Sequence, residues 1–291
     1  MEPGPLVVIV GETASGKSSL AIDLAEKFNG EIVCADAVTV RKGVDIGTAK
    51  PTLIEQSRAR HHLLDIVEPC EDFTSAVFKR LAQDTIKSIS DRGKVPFLVG
   101  GTGLYIDGVL FDYSFLPAGD RAARERLNKL SAEELLKLVE EQGIDTNGID
   151  VRNKRRLVRL LETSGARGSR SAIRKNTLII GIRTNREQLR QKIENRIEAM
   201  LASGLENEVK NLAEKYGWEC EALKSIGYQE WQDYFFGSQD LEQTKNRIIS
   251  STIGLAKRQR TWFKRNESIH WLNNREEAEE AARVFLSNKS G

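Results

Sequence analysis

Eight residues near the start, Gly11-Glu12-Thr13-Ala14-Ser15-Gly16-Lys17-Ser18, have the spacing of a phosphate-cradling P-loop. They follow Leu6 to Val10, an apolar run that reads as a buried strand. Glycines let such a backbone curl until several amide hydrogens point inward. Lys17 adds positive charge, and the Ser18 hydroxyl can ligate Mg²⁺. The chemistry expected is capture of a phosphate chain, against the plain reading of a glycine turn, and what carries the phosphates stays open. A second candidate is Asp36, which closes the run Val33-Cys34-Ala35-Asp36 and so puts a carboxylate at the carboxyl edge of a sheet, where open α/β folds bind ligands. It is the leading catalytic residue; its bland reading is an acid that caps a turn or holds Mg²⁺ through water. A further strand runs straight into Gly100-Gly101-Thr102-Gly103-Leu104-Tyr105 with no acid at its end. Many P-loop ATPases place a metal-binding acid at such a strand end, so ordinary ATP hydrolysis is disfavoured. The plain reading is a helix-entry turn capped by Thr102.

The elements that must hold these residues alternate. Strands are expected at Leu6 to Val10, Glu31 to Ala35, Val95 to Val99, Leu178 to Ile182 and Ser268 to Leu272, and helical spacing separates them. Leu20, Ala21, Leu24 and Phe28 mark one helix, and Phe78, Leu81, Ala82, Thr85, Ile86 and Ile89 another; both would cover the sheet. This predicts an α/β fold, a three-layer P-loop architecture with a mainly parallel sheet flanked by helices. From Pro117 the pattern changes to charged helices, with no strand until Leu178. The predicted organisation is a core over residues 1–115 and 176–291, with a small, basic, helical insertion over 116–175. Later helices carry Leu189, Ile193, Ile197, Met200 and Leu201, then Ile248, Thr252, Leu255, Gln259 and Trp262.

Net charge is only +2, but it is unevenly spread. Residues 151–175 hold nine Lys or Arg against Glu162 alone, and residues 256–265 hold Lys257, Arg258, Arg260, Lys264 and Arg265 around Trp262 and Phe263, leaving −11 for the other 256 residues. Concentrated cations favour a polyanion, and flat rings stack on bases; the alternative is a solvated helix face with ordinary core aromatics. Cys34, Cys70 and Cys220 form no C-x-x-C pair, so neither a disulfide framework nor a zinc site is expected and the compartment reads as reducing. No apolar stretch approaches membrane-spanning length. A cytoplasmic monomer is expected.

The P-loop and Asp36, then Asp45-Ile46-Gly47-Thr48-Ala49-Lys50-Pro51, His61-His62-Leu63-Leu64-Asp65-Ile66 and Val99-Gly100-Gly101-Thr102-Gly103-Leu104-Tyr105, resemble the tRNA dimethylallyltransferase (isopentenyltransferase) family in order and spacing. Arg155-Arg156-Leu157-Val158-Arg159, Met200-Leu201-Ala202-Ser203-Gly204-Leu205, Ile226-Gly227-Tyr228 and Ala256-Lys257-Arg258-Gln259-Arg260-Thr261-Trp262 extend the likeness over nearly the whole chain. The resemblance implies transfer of a dimethylallyl group from dimethylallyl diphosphate to the exocyclic N6 amine of the adenosine 3′-adjacent to an anticodon. Gly11, Thr13, Ala14, Ser15, Gly16, Lys17 and Ser18 would then hold the leaving diphosphate with Mg²⁺ on Ser18. No triphosphate is needed, although the P-loop itself carries a general nucleotide- or ATP-binding expectation. Asp36 would take the amine proton, Lys17 would stabilise the leaving group, and Thr102 would orient amine or diphosphate oxygens. The implied tRNA contacts are Asp36, Ala37, Val38, Thr39, Thr102, Arg124, Arg155, Arg156, Arg159, Tyr228, Lys257, Arg258, Arg260 and Lys264. The partner would be a tRNA anticodon stem-loop, with no membrane involved. The histidine pair is read as structural.

The chain departs from the family pattern. Ala37, Thr39 and Arg41 stand where serine, a glutamine-like group and tyrosine are usual; Glu12 replaces a proline, Val77 an aspartate, and Lys154 follows Asn153 where the family has aspartate. Glu12 would repel diphosphate unless it points outward. Glu12, Ala37 and Arg41 motivate the reading of a catalytically silent RNA-binding relative, and a small-molecule kinase, which would need an acceptor pocket and arginines over the ATP phosphates, is the other reading in play.

Overall fold

The protein is described by a computed structural model covering residues 3–117 and 119–287. Six strands form one parallel sheet: β1 (Leu6–Val10), β2 (Gly30–Cys34), β3 (His61–His62), β4 (Val95–Gly100), β5 (Thr177–Ile182) and β6 (Ile269–Leu272). Their spatial order is β3-β2-β4-β1-β5-β6. All five residues of β1, Leu-Val-Val-Ile-Val, are buried, as a central strand covered on both faces requires. One face packs Val7, Ile9, Ile32, Phe97 and Ile180 against Leu20, Ala21 and Leu24 of helix Lys17–Lys27 and against Ala278 and Ala282 of helix Arg275–Ser287. Helix Ser75–Asp91, which buries Phe78, Ala82, Ile86 and Ile89, packs on β2 and β4.

Because every pair is parallel, the loops after Val10, Cys34, Gly100 and Ile182 leave the sheet at one edge. The P-loop, Asp36 and the Gly100-Gly101-Thr102-Gly103 run are therefore neighbours by topology. Their approach is close: a Cβ on Gly100 would lie 2.0 Å from the carbonyl oxygen of Ala35. Gly16, which caps helix Lys17–Lys27, sits at φ 89°, a backbone region that favours glycine.

The α/β class and parallel sheet agree with the pattern in the sequence, but two features do not. The edge strand β3 was not expected, because two residues are too few to show a period; it pairs with Ile32 and Val33, and His62 Nε2 lies 2.7 Å from Glu31. Glu31 is 2% exposed, and although burial opposes it, hydrogen bonds from Lys94 and His62, with Arg92, hold its carboxyl down at about 2. The second correction concerns the cysteines. Cys70 and Cys220 are joined by a disulfide with Cα atoms 4.6 Å apart, across a separation of 150 residues that gives no local signal. Cys34 is free and buried.

The chain divides into two compact units. The first takes in the sheet, up to Leu110 and from Arg174 onward; the second is Phe111–Ile173, where 116–175 was expected. The second unit folds around Leu135, Val139, Leu157, Val158 and Leu160 from helices Arg121–Lys129, Ala132–Glu141 and Lys154–Glu162. Ser131 and Glu134 form a capping box that starts the middle helix. Among the described residues no helix is long and apolar enough to cross a membrane.

Candidate active site

Thr13, Lys17 and Ser18 of the P-loop line one cavity of about 110 Å³ together with Asp36, Thr39, Thr48, His61, Arg196 and Gln259. Burial pulls the Lys17 ammonium down to about 8, with Asp36 opposing that fall and Arg196 adding to it. Its Nζ also reaches the Glu12 carbonyl oxygen at 3.3 Å. Ser15 Oγ is buried without a hydrogen-bond partner among the described residues. Ser18 is exposed at the cavity, and no group of three His, Cys, Asp or Glu able to hold a metal occurs among the described residues. Mg²⁺ characteristically takes one or two protein oxygens and completes its shell from phosphates and water, so a lone Ser18 hydroxyl fits that donor set.

Asp36 is held by a local turn, its Oδ1 accepting from the Val38 amide at 2.8 Å and the Thr39 amide at 3.1 Å. Oδ2 has no protein partner among the described residues. The turn-capping and catalytic readings are thus compatible, since one oxygen fixes the side chain and the other is left for chemistry. Thr102 completes the support by a different route from the one expected: its Oγ1 accepts from the Ala37 amide at 3.1 Å, while its own amide donates to the Ala35 carbonyl at 3.3 Å. It steadies the Asp36 turn and is absent from the lining of this cavity.

Two residues that the sequence did not single out as functional complete the arrangement. Arg196 lies on helix Arg186–Ala202, on the same face as Ile193 and Met200, and donates to the Thr48 carbonyl at 2.9 Å. Burial pulls its guanidinium below the ordinary range and Asp36 opposes that. Gln259, noted only as part of a helical stripe, bridges the two glycine-rich loops: its Oε1 accepts from the Thr13 amide at 2.8 Å and its Nε2 donates to the Gly101 carbonyl at 3.1 Å. A second, apolar cavity of about 100 Å³ shares Thr13, Asp36, Thr48, Arg196 and Leu255 with the first, and adds Val38, Ile193, Ile197, Met200, Ile226 and Gly227. Asp36 therefore stands where a cation-lined space meets an apolar one.

A family model described as IPP transferase matches residues 39–266. The chain belongs to that family. A tRNA dimethylallyltransferase of Desulforudis audaxviator is 41% identical over 288 residues, covering 93% of this chain and 92% of the relative. One from Geobacillus thermodenitrificans is 39% identical, covering 92% and 90%. Among solved structures, the tRNA isopentenylpyrophosphate transferase of Bacillus halodurans aligns with a TM-score of 0.77 at 34% identity, covering 99% of this chain and 98% of that one. A eukaryotic dimethylallyltransferase acting on tRNA gives 0.80 at 26% identity, covering 98% and 80%.

The remaining residues expected to meet tRNA separate into three groups. Arg155, Arg156, Lys257, Arg258 and Lys264 are exposed, and their side chains form no ion pair among the described residues. Ala37 is half-buried beside Thr102, Val38 lines the apolar cavity and Thr39 the polar one. Four others are engaged internally. Tyr228 is fully buried, and its hydroxyl donates to Glu208 at 2.7 Å, whose carboxylate in turn accepts from the amides of Asp45, Ile46 and Gly47; it presents no face to RNA and shapes the Asp45–Pro51 loop instead. Arg260 pairs with the buried Glu12 at 2.7 Å. Arg124 and Arg159 both pair with Glu162, and Arg159 also donates to the carbonyls of Leu116 and Pro117. The aromatic expectation falls likewise: Phe263 is a core residue, and Trp262 donates to Asp107 beneath the Arg265 guanidinium.

Glu12 lines neither of the two cavities. It borders a separate one of about 420 Å³ with Arg183, Arg260, Lys264 and Trp271. Arg41, the other conspicuous departure, donates from Nη1 to the carbonyls of Pro69 at 3.0 Å and Glu71 at 2.6 Å.

Proposed function

We infer that this IPP transferase moves a dimethylallyl group from dimethylallyl diphosphate to the N6 amine of the adenosine 3′ of the anticodon in tRNA, releasing diphosphate. The observation that carries this is the position of Asp36 between the two cavities. One is lined by Lys17, Arg196 and the P-loop, as a diphosphate requires; the other is apolar and of a size suited to five carbons. The allylic carbon–oxygen bond breaks at their junction, the amine nitrogen bonds to the freed carbon, and Asp36 Oδ2 takes the amine proton. Lys17, Arg196 and the inward amides meet the charge that gathers on the departing diphosphate. Mg²⁺ on Ser18 would neutralise more of that charge when bound. Thr102 is a positioning residue, holding the turn that aims Asp36.

A stacked adenine cannot reach such a junction, so the base must be splayed from its loop. Arg155 and Arg156 of the second unit, and Lys257, Arg258 and Lys264 of the first, are the cations free to take backbone phosphates. The silent-relative reading loses two of its three motives, because Glu12 is neutralised by Arg260 and Arg41 is tied to loop carbonyls, and Ala37 is the one left. The kinase reading finds no acid at the end of β4. A tRNA substrate supports a reading of the protein as one that works in the cytoplasm, and we propose that it does so as a monomer.

The test is prenyl transfer by the purified chain with Mg²⁺, dimethylallyl diphosphate and an anticodon stem-loop, followed by mass spectrometry of the nucleosides. Asp36→Asn keeps an oxygen for the Val38 and Thr39 amides but is a far poorer base. It is expected to lower kcat by about 10²–10⁴-fold with stem-loop affinity within about twofold. Undiminished turnover would remove Asp36 from the mechanism.

A further inference from the structure

The disulfide is the one strong feature that the transfer reaction leaves unused, and it ties together two walls of the apolar cavity. On one side, Cys70 belongs to the loop Glu68–Glu71, whose carbonyls accept from Arg41; the Lys42 amide donates to Val67 at 3.0 Å and the Ile66 amide to Val40 at 2.8 Å. That loop therefore supports the segment 38–42, which begins with the cavity residue Val38. On the other side, Cys220 precedes the short helix Glu221–Lys224, where the Ala222 amide donates to the Pro69 carbonyl at 3.1 Å. This helix leads directly to Ile226 and Gly227, also cavity residues, and Gly227 is fixed by a 2.8 Å bond from its amide to Glu230. Apart from the sulfur bridge, the Ala222–Pro69 hydrogen bond is the only backbone bond described between the two segments. Cys70 is exposed and Cys220 is 4% exposed.

We propose that Cys70 and Cys220 form a reversible thiol–disulfide site that braces the prenyl side of the active site, so that the oxidised chain holds the donor more tightly than the reduced one. The chemistry needs only a low-molecular-weight thiol. Its thiolate attacks the sulfur of Cys70, the exposed residue of the pair, the S–S bond breaks, and Cys220 leaves with the electron pair and takes a proton in its buried setting. A second small thiolate then attacks the sulfur of the first, and Cys70 leaves as a thiolate that takes a proton. The two small thiols depart as their disulfide, having supplied two electrons, and a small-molecule disulfide drives the reverse. Arg41 is what couples this chemistry to the cavity, because its guanidinium carries the loop of Cys70 on the segment of Val38.

The inference rests on the prenyl-transfer reading for its kinetic readout alone. The chain is equilibrated with oxidised or reduced glutathione, and free thiols are counted by alkylation and intact mass under native and unfolding conditions. The oxidised form is expected to show one alkylatable cysteine after unfolding, Cys34, and the reduced form three. Reduction is expected to raise KM for dimethylallyl diphosphate about three- to tenfold while leaving KM for the stem-loop unchanged. It should also speed hydrogen exchange at the Lys42 and Gly227 amides at least tenfold. Cys70→Ser, at the exposed position, should match the reduced form and ignore glutathione; Cys220→Ser provides the same comparison from the buried side. Three thiols in both treatments, or equal exchange at both amides in the two forms, would overturn the proposal whether or not the protein turns over. A change in thiol count and exchange with no turnover in either form would leave the brace standing and count against the prenyl-transfer reading.

Discussion

The two basic stretches of the chain look alike in the sequence and are used in opposite ways. Residues 151–175 lie almost wholly in the second unit, where Arg155 and Arg156 project from helix Lys154–Glu162 while its apolar side, Leu157, Val158 and Leu160, fills a small core. That unit also carries a groove of about 420 Å³ lined by Tyr113, Phe115, Arg156, Arg159, Arg167 and Arg170, of which Arg159 and Arg167 are already paired with Glu162 and Asp145. Residues 256–265 end the helix Leu241–Phe263, and this helix faces the chemistry: Leu255 lines both cavities and Gln259 spans the two glycine loops. Arg260, which counts equally with its neighbours in a charge tally, is occupied by Glu12 inside the P-loop. A run of cations therefore reports a partner only after the charges with internal partners are subtracted, and in the second stretch that subtraction removes the arginine nearest the site.

The largest way to break this contrast is to cut the internal pair. Arg260→Ala leaves Glu12, 4% exposed, as a buried carboxylate without its cation, and should cost about 3 kcal/mol of stability. Denaturant unfolding of Arg260→Ala, Glu12→Ala and the double variant checks this. The double variant should recover most of the loss, because removing both charges also removes the buried orphan. If Arg260→Ala instead weakens stem-loop binding with no loss of stability, Arg260 belongs with the outward cations.

Lys17 is a third kind of cation, and pH separates it from every arginine. Burial favours its neutral form, so with a value of about 8 it is charged below that pH and loses its charge above it. Since the diphosphate binds the charged form, kcat/KM for the donor should be level below about pH 8 and fall roughly tenfold per unit above it. Stem-loop affinity, which does not depend on Lys17, should not follow. A donor profile that stays flat to pH 9.5 would mean that Lys17 remains charged in the free enzyme.

How much of this was legible beforehand follows from chain distance. The P-loop, the Asp36 turn and the Gly100–Gly103 run are local patterns, and a parallel sheet gathers strand ends at one edge, so that part of the site could be read from spacing alone. Gln259 acts on Thr13 from 246 residues away and Arg260 on Glu12 from 248; no local signal announces either. Arg196 was overlooked because it interrupts an apolar stripe, Ile193 to Met200, that reads as core. Its place on that stripe, a charge set among cavity-facing apolar residues, is the signal that would have found it. Tyr228 was misread for the converse reason: it sits within a recognisable block, and only its burial reveals that the block shapes a loop.

The smallest predicted effect tests the outward half of the contrast. Arg155→Ala, Arg156→Ala, Lys257→Ala and Lys264→Ala each remove an exposed cation that lacks an ion pair among the described residues, so folding stability should change by less than about 0.5 kcal/mol. If each cation meets a backbone phosphate, each change should weaken stem-loop binding by a few-fold and lower the slope of log affinity against log salt by about one. Sequence changes in the RNA loop should not alter these losses, because a phosphate contact carries no base information. The pattern among the four is the sharper result. Full effects at Arg155 and Arg156 with none at Lys257 and Lys264 would mean that RNA is gripped by the second unit alone, and that helix Leu241–Phe263 serves the chemistry through Leu255 and Gln259.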